Sequence, residues 1–151
     1  MYTRRSAVVE DALVLSRKLR EIDLREIEVI SEGHHSPLDA LLAGVEKGAT
    51  VGLGEQGQVL GMYGCSDHGP ALGIPWLLVS DELFSGTKYR RQFLRDARDE
   101  VEGWQEKHAL LTNYILADNT SSIRWLGRLG FKFWDTRRRG VLQFYRERQY
   151  V

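Results

Sequence analysis

The sequence predicts an α+β layer fold built on a mixed sheet, and three observations carry that prediction. Apolar periodicity changes from about 3.6 residues to 2 after Gly48, so helices give way to strands there. A nearly continuous apolar run at 110–117 is broken by Asp118, Asn119 and Thr120, and a helical stripe of Ile123, Leu126 and Leu129 follows. Between the strand patterns at 74–80 and 110–117 lies one long helical pattern, which makes it a crossover and the two flanking strands parallel neighbours.

In chain order, Ala7-Val8-Val9 is a short strand candidate, and Asp11 can cap a helix with Leu15, Leu19 and Ile22 on one face. Leu24, Ile27 and Ile30 continue as a half-solvated amphipathic helix that ends at Gly33-His34-His35. Ser36 caps the next helix, with Pro37 at its first position and Asp39 approximating a capping box; Leu38, Leu41, Leu42 and Val45 form its stripe, and Lys47-Gly48 stops it. Strands at 49–54, 59–65 and 74–80 are separated by turn-rich EQGQ and SDHGPALG. The long helix, at about 87–107, packs through Tyr89, Phe93, Ala97, Val101 and Trp104. After the 110–117 strand, Gly130 favours the left-handed end of a helix, and Phe131 packs back on Leu126 as in a Schellman motif. Strands at 131–135 and 141–147 then flank TRRRG as a hairpin.

At 151 residues with 42% apolar content the chain can bury its own core, and its length argues for a single domain, 1–151. Formal net charge is zero, so no overall field draws it to nucleic acid or an anionic membrane. The N-terminal MYTRRSAVVEDALVL lacks the apolar run of a signal peptide, and a soluble cytoplasmic protein is expected. Cys65 is the only cysteine, which excludes an internal disulfide and a cysteine-based zinc site and suits a buried strand position. Gly52, Gly54 and Gly57 spell G-x-G-x-x-G, but a strand pattern resumes at Val59 where a dinucleotide motif needs a helix, so a hairpin is expected.

Two places carry chemical signals. The long helix holds Lys88, Arg90, Arg91, Arg95 and Arg98 in its N-terminal half and Asp99, Glu100, Glu102 and Glu106 later, against the preference of the helix dipole. A phosphate at the Ser85-Gly86-Thr87 turn would relieve that conflict; a solvated charged face is the plainer alternative. At the second place, the 110–117 strand delivers its end to a helix N-terminus opened by Asn119, where N–H groups favour an acceptor. No metal site is predicted, because adjacent His34 and His35 do not share a helix face and no third ligand stands at diagnostic spacing.

Asn119, Ser122, Ile123 and Leu129-Gly130-Phe131 resemble the late motif of the GCN5-related N-acetyltransferase (GNAT) superfamily, in which an Asn opens a helix that closes on Gly-Phe. Together with GIPWLLVSDELF at 73–84, NTSSIRWLGRLGF is similar to a phage group of that fold which includes an internal virion protein of T7-like phages. The resemblance covers most of residues 20–135. It implies a mostly antiparallel sheet of about six to seven strands with helices on both faces, and one parallel pair after the long helix. It also implies acetyl-coenzyme A as cofactor and direct attack of an amine on the thioester. On that pattern Leu78, Val79 and Ser80 offer main-chain hydrogen bonds to the pantetheine arm. Ser85, Gly86, Thr87, Lys88, Arg90 and Arg91 surround the pyrophosphate, while Asn119 and Ser122 orient cofactor or acceptor. Glu26, Glu28, His34 and His35 fall in the acceptor region and are candidate bases, as are Asp67 and His68 in a hairpin loop.

Two positions depart from the pattern. The phosphate loop keeps one glycine, Gly86, of the usual two, and the position where many members carry a proton-donating Tyr is Leu126. Tyr114 and Tyr89 are substitutes only if geometry brings them there, and both are more simply core aromatics. Three functions follow: a phage-type N-acetyltransferase acting on a small-molecule or protein amine, in host cytoplasm or virion; an inactive relative in virion assembly or bound to phage or host proteins; and, with least support, nucleic-acid binding through Arg137-Arg138-Arg139 and the basic half of the long helix. Nucleic acid is not an expected partner, since that loop contains no stacking aromatic and net charge is zero, and membrane is not expected because no apolar run approaches 18 residues.

Overall fold

The computed structural model describes residues 1–85 and 87–149. The elements are β1 (Thr3–Ser6), α1 (Val9–Ser16), α2 (Glu21–Ile30), α3 (Pro37–Glu46), β2 (Thr50–Leu53), β3 (Val59–Asp67), β4 (Leu72–Val79), α4 (Asp81–Phe84), α5 (Arg90–Lys107), β5 (Leu110–Leu116), α6 (Thr120–Arg128), β6 (Lys132–Asp135) and β7 (Val141–Glu147). The strands form a seven-stranded sheet in the order β1-β2-β3-β4-β5-β7-β6. As expected from the long crossover, β4 and β5 pair in parallel, Leu72 with Leu110 and Gly73 with Leu111. The β1–β2, β2–β3, β5–β7 and β6–β7 pairs are antiparallel. By contacts the chain divides into two compact units, residues 1–64 with 76–93, and 65–75 with the chain from 94 onward.

In the first unit α1 and α3 pack Ala12, Leu15 and Leu41 against Val51, Val59, Met62 and Leu78. Trp76 fits because its neighbours lack side chains: a Cβ on Gly44 would come within 2.5 Å of the indole, and one on Gly64 within 3.2 Å. Ser36 caps α3 as predicted, its Oγ accepting from Asp39 N at 3.1 Å with Pro37 in the first turn. The G-x-G-x-x-G segment is the β2–β3 hairpin; Gly57 takes φ +77°, and Gly54 N donates to Gln58 O at 2.9 Å. Phe93 anchors a set of edge-to-face rings with Tyr2, Tyr63 and Phe84.

Most strand ends move by one or two residues from the sequence reading, and the larger differences are in β1, α1 and α5. The first strand is Thr3–Ser6, and Val9 already belongs to α1. Asp11 lies in the first turn of α1 rather than before it: its carboxylate accepts from Val8 N at 2.8 Å and from the Arg5 guanidinium at 2.7 and 3.0 Å. That acceptor fixes the start of α1, which ends at Ser16, so Leu19 leaves the helix and Ile22 joins α2. The long helix begins at Arg90, three residues later than predicted, with Phe93 N donating to the carbonyl of buried Tyr89.

In the second unit Ala97 and Val101 of α5 and Leu126 of α6 pack on Leu111, Ile115 and Phe144. The end of α6 makes both bonds of the Schellman motif: Phe131 N to Leu126 O at 3.1 Å and Gly130 N to Gly127 O at 3.1 Å, with Gly130 at φ +92°. Phe131 and Leu126 share the core, as predicted. Cys65 is a free, half-buried residue of β3, and burial pushes its thiol pKa up to about 11.

Candidate functional site

The C-terminal end of β4 is buried, with Leu78 8%, Val79 0% and Ser80 3% exposed. Adjacent residues of a strand direct their N–H and C=O groups to opposite sides. Ser80 N and Oγ both turn toward β3, donating to Leu60 O at 2.8 and 2.9 Å. Val79 faces the other way, and that side is occupied by the chain leading into α2. Arg20 N donates to Val79 O at 3.1 Å, Val79 N donates to Asp23 Oδ2 at 3.3 Å, and Leu19 bridges Ser80 in antiparallel fashion.

The lock behind this edge is an ion pair that nothing in the sequence singles out. The guanidinium of Arg20 donates to Asp23 at 2.9 and 2.8 Å, with the two side chains 8% and 1% exposed. Arg20 also lies over the Phe84 ring, 4.9 Å from its centroid. Burial pushes the Asp23 carboxyl pKa up, more than the Arg20 hydrogen bond and charge and the Val79 N–H pull it down. Charged residues at the start of a helix are ordinary surface features in a sequence, and the i, i+3 spacing of Arg20 and Asp23 is the one signal the sequence carries of their pairing.

Past α4, Ser85, Thr87, Lys88, Arg90 and Arg91 are exposed, while Gly86 lies outside the described residues. Lys88 is already committed: its Nζ is 3.0 Å from Glu55, which also takes the N-terminal amine at 3.0 Å. The Glu55 hydrogen bond and charge raise the Lys88 pKa, and the N-terminus and Lys88 lower that of Glu55. Tyr89 is buried, and its hydroxyl accepts from Glu55 N at 3.3 Å. The turn is therefore tied to the β2–β3 hairpin through Lys88 and Tyr89.

In the second unit Asn119 is 2% exposed and caps α6, its Oδ1 accepting from Ser122 N at 3.4 Å. Leu126 is 7% exposed among the core residues of that unit. Tyr114 is 47% exposed on β5 and is a surface aromatic rather than a core one. Of the candidate bases, Glu26 is half-buried and Glu28 exposed on α2, and His34 and His35 are exposed beyond its end, His34 Nδ1 lying 2.8 Å from Ser31 O. Asp67 and His68 are exposed in the β3–β4 connection. Among the described residues no group of three or more His, Cys, Asp or Glu could hold a metal ion. A concavity of about 770 Å³ in the second unit includes Glu102, Gln105, Arg146 and Arg148 in its lining; no predicted site residue lines it.

Solved structures with the same architecture include a phosphinothricin acetyltransferase from Sinorhizobium meliloti in complex with acetyl-coenzyme A (TM-score 0.66, 18% identity, covering 97% of this chain and 88% of that one). Another is a spermidine N-acetyltransferase from Vibrio cholerae in complex with coenzyme A and spermine (TM-score 0.65, 12% identity, covering 97% and 95%). The chain therefore has the GNAT acetyltransferase fold. Residues 49–136 match the family described as Bacteriophage T7, probable scaffold protein Gp13, and the chain belongs to that family. The probable scaffold protein gp13 of Escherichia phage T7 is 31% identical over 123 residues, 76% of this chain and 84% of the relative. Set against a bound coenzyme, the outward N–H and C=O of Val79 are both taken within the chain, while Arg90 and Arg91 at the start of α5 stay exposed.

Proposed function

We propose that this chain is an acetyltransferase-fold phage protein that acts in particle assembly by binding other phage or host proteins, without transferring an acyl group. One observation carries the proposal: Arg20 and Asp23 close the outer main-chain edge of Val79, where the family resemblance places the pantetheine arm. Buried Leu126, which has no proton to give, supports the same reading. So does α1, which keeps Val9, Leu13 and Val14 between 43% and 50% exposed beside Val8 at 46%, a concentration of apolar surface suited to protein contact. The name of the T7 relative, a probable scaffold protein, points the same way. On this reading residues 1–151 act as one domain, in the host cytoplasm or the virion; no helix among the described residues is long and apolar enough to cross a membrane.

Calorimetric titration with acetyl-coenzyme A tests the proposal, joined to an assay for thiol release in the presence of polyamine or peptide amines. Neither saturable binding nor amine-dependent thiol release is expected. Micromolar binding with thiol release that follows the added amine would refute it.

A second reading, an acyl-coenzyme-A-dependent N-acetyltransferase, is favoured by the exposed basic start of α5. It assigns the pyrophosphate to Ser85, Gly86, Thr87, Lys88, Arg90 and Arg91, the pantetheine arm to Leu78, Val79 and Ser80, and orientation to Asn119 and Ser122. Glu26, Glu28 or His35 then serves as base for an amine acceptor. That reading predicts at least a tenfold loss of coenzyme affinity in Arg90→Gln/Arg91→Gln, because charge-assisted hydrogen bonds contribute roughly 1.5–3 kcal/mol each.

A further inference from the structure

Strands β5, β7 and β6 of the second unit bury Leu111, Ile115 and Phe144 on one face. Alternation sends Thr112, Tyr114, Gln143, Tyr145, Lys132 and Trp134 to the other. On that other face Trp134 is 55% and Tyr114 47% exposed, Tyr145 is half-buried, and Leu116 and Val141 are buried. The register places Tyr114 and Trp134 on either side of Gln143, two strand spacings or about 9–10 Å apart. The platform is held still. Trp134 Nε1 donates to Gln143 Oε1 at 2.6 Å, Gln143 Nε2 to Thr112 Oγ1 at 3.0 Å, and Thr112 Oγ1 to Phe144 O at 2.8 Å. Trp134 and Tyr145 lie against each other with centroids 4.9 Å apart and planes tilted by 39°.

Charge next to the platform is mixed, with one local basic run. The β6–β7 hairpin, which starts one residue after β6 ends, carries exposed Arg137, Arg138 and Arg139 in succession, and Lys132 is exposed on the aromatic face itself. The exposed acidic residues nearby are Asp135 on β6, Glu147 on β7 and Asp118 just after β5, where Ala117 N donates to Gly140 O at 2.8 Å. In the sequence the loop lacks a stacking group; in the fold the pairing of β6 with β7 puts two aromatic side chains beside it. Rings that every base can stack on, set beside guanidinium groups that take phosphates, are the two components of sequence-tolerant single-strand binding.

We propose that this sheet face binds single-stranded nucleic acid, with bases stacking on Trp134, Tyr145 and Tyr114 and the backbone running along the Arg137–Arg139 loop. This goes beyond the assembly reading and does not depend on it. The test is fluorescence anisotropy of a labelled oligothymidylate of about 20 nucleotides, in salt from about 50 to 200 mM, with a duplex of equal length as control. Single strand should bind more tightly than duplex. Trp134→Ala, or Tyr114→Ala as a second aromatic variant, should weaken it at least about fivefold, while Trp134→Phe keeps most of the affinity. Arg137→Gln/Arg139→Gln should lower the salt slope by roughly 1.4, at about 0.7 per phosphate contact on a single strand. All four side chains are exposed, and circular dichroism melts of each variant serve as the check that it folds. Absence of binding overturns the proposal, as does equal affinity for duplex with Trp134 and Tyr114 inert; either result would leave the aromatic face to a protein partner.

Discussion

Replacing Asp23 with Ala would remove the acceptor that holds both Arg20 and the end of β4. The guanidinium would stay 8% exposed over Phe84 without its carboxylate, and Val79 N–H, on a residue with no exposed surface, would lose its acceptor. Removing one partner of a buried pair costs about 3–5 kcal/mol, most of it the cost of the charge left behind. Against a total stability of roughly 5–15 kcal/mol for an ordinary domain, that is a large fraction. Urea denaturation followed by circular dichroism would measure it as a fall in midpoint at unchanged slope. Because the cost comes from the unpaired charge, Arg20→Met/Asp23→Leu should recover most of the loss. A loss below about 1 kcal/mol in the single variant, or a double variant no more stable than the single, would show that the pair does not hold this edge.

Three further outcomes follow from particular groups. The Asp11 carboxyl pKa is pushed up by burial but pulled further down by the Arg5 hydrogen bond, Val8 N–H and the Arg5 charge, so it lies below its unfolded value. Its contribution is therefore present above the unfolded pKa and lost as pH falls through the folded one; a melting-temperature series should fall less steeply with acid in Asp11→Asn than in the parent, and parallel curves would contradict this. Ser36→Ala should lose about 0.5–2 kcal/mol through the α3 cap, measured by chemical denaturation, and an unchanged midpoint would place the start of that helix elsewhere. With its pKa raised to about 11, Cys65 should hold roughly one thiolate per thousand at pH 8, so iodoacetamide should modify the native protein far more slowly than the urea-unfolded one.

Local signals made much of the fold legible. Ser36-Pro37 and Asn119…Gly130-Phe131 satisfy backbone groups within a few residues, so the sequence alone specifies α3 and the end of α6. The parallel β4–β5 pair was equally predictable, because a strand, a long helix and a second strand leave few alternative connections. The start of α1 was hidden because Ala7-Val8-Val9 favours a strand locally, while the acceptor that caps the helix sits on Asp11 and is fixed by Arg5 of β1. The closed edge at Val79 was not legible at all. It depends on a pairing across 56 residues, between Asp23 and Val79, that no periodicity encodes. The same holds for the aromatic face: Tyr114, Trp134 and Tyr145 become one surface only through strand register.

The two outer strands are both short and charged. β1 reads TRRS, β6 reads KFWD, and each spans four residues. An unpaired strand edge is a template on which another chain can add hydrogen bond by hydrogen bond, and length, flatness and apolar side chains make that addition favourable. Here an incoming strand would find few backbone partners, arginines along β1, and a lysine and an aspartate at the ends of β6. Polymerisation by sheet extension is thereby discouraged at both margins. On the assembly reading, a protein gathered at high density could then make side-chain contacts with its partners while remaining a discrete folded body, rather than seeding a fibre of its own copies.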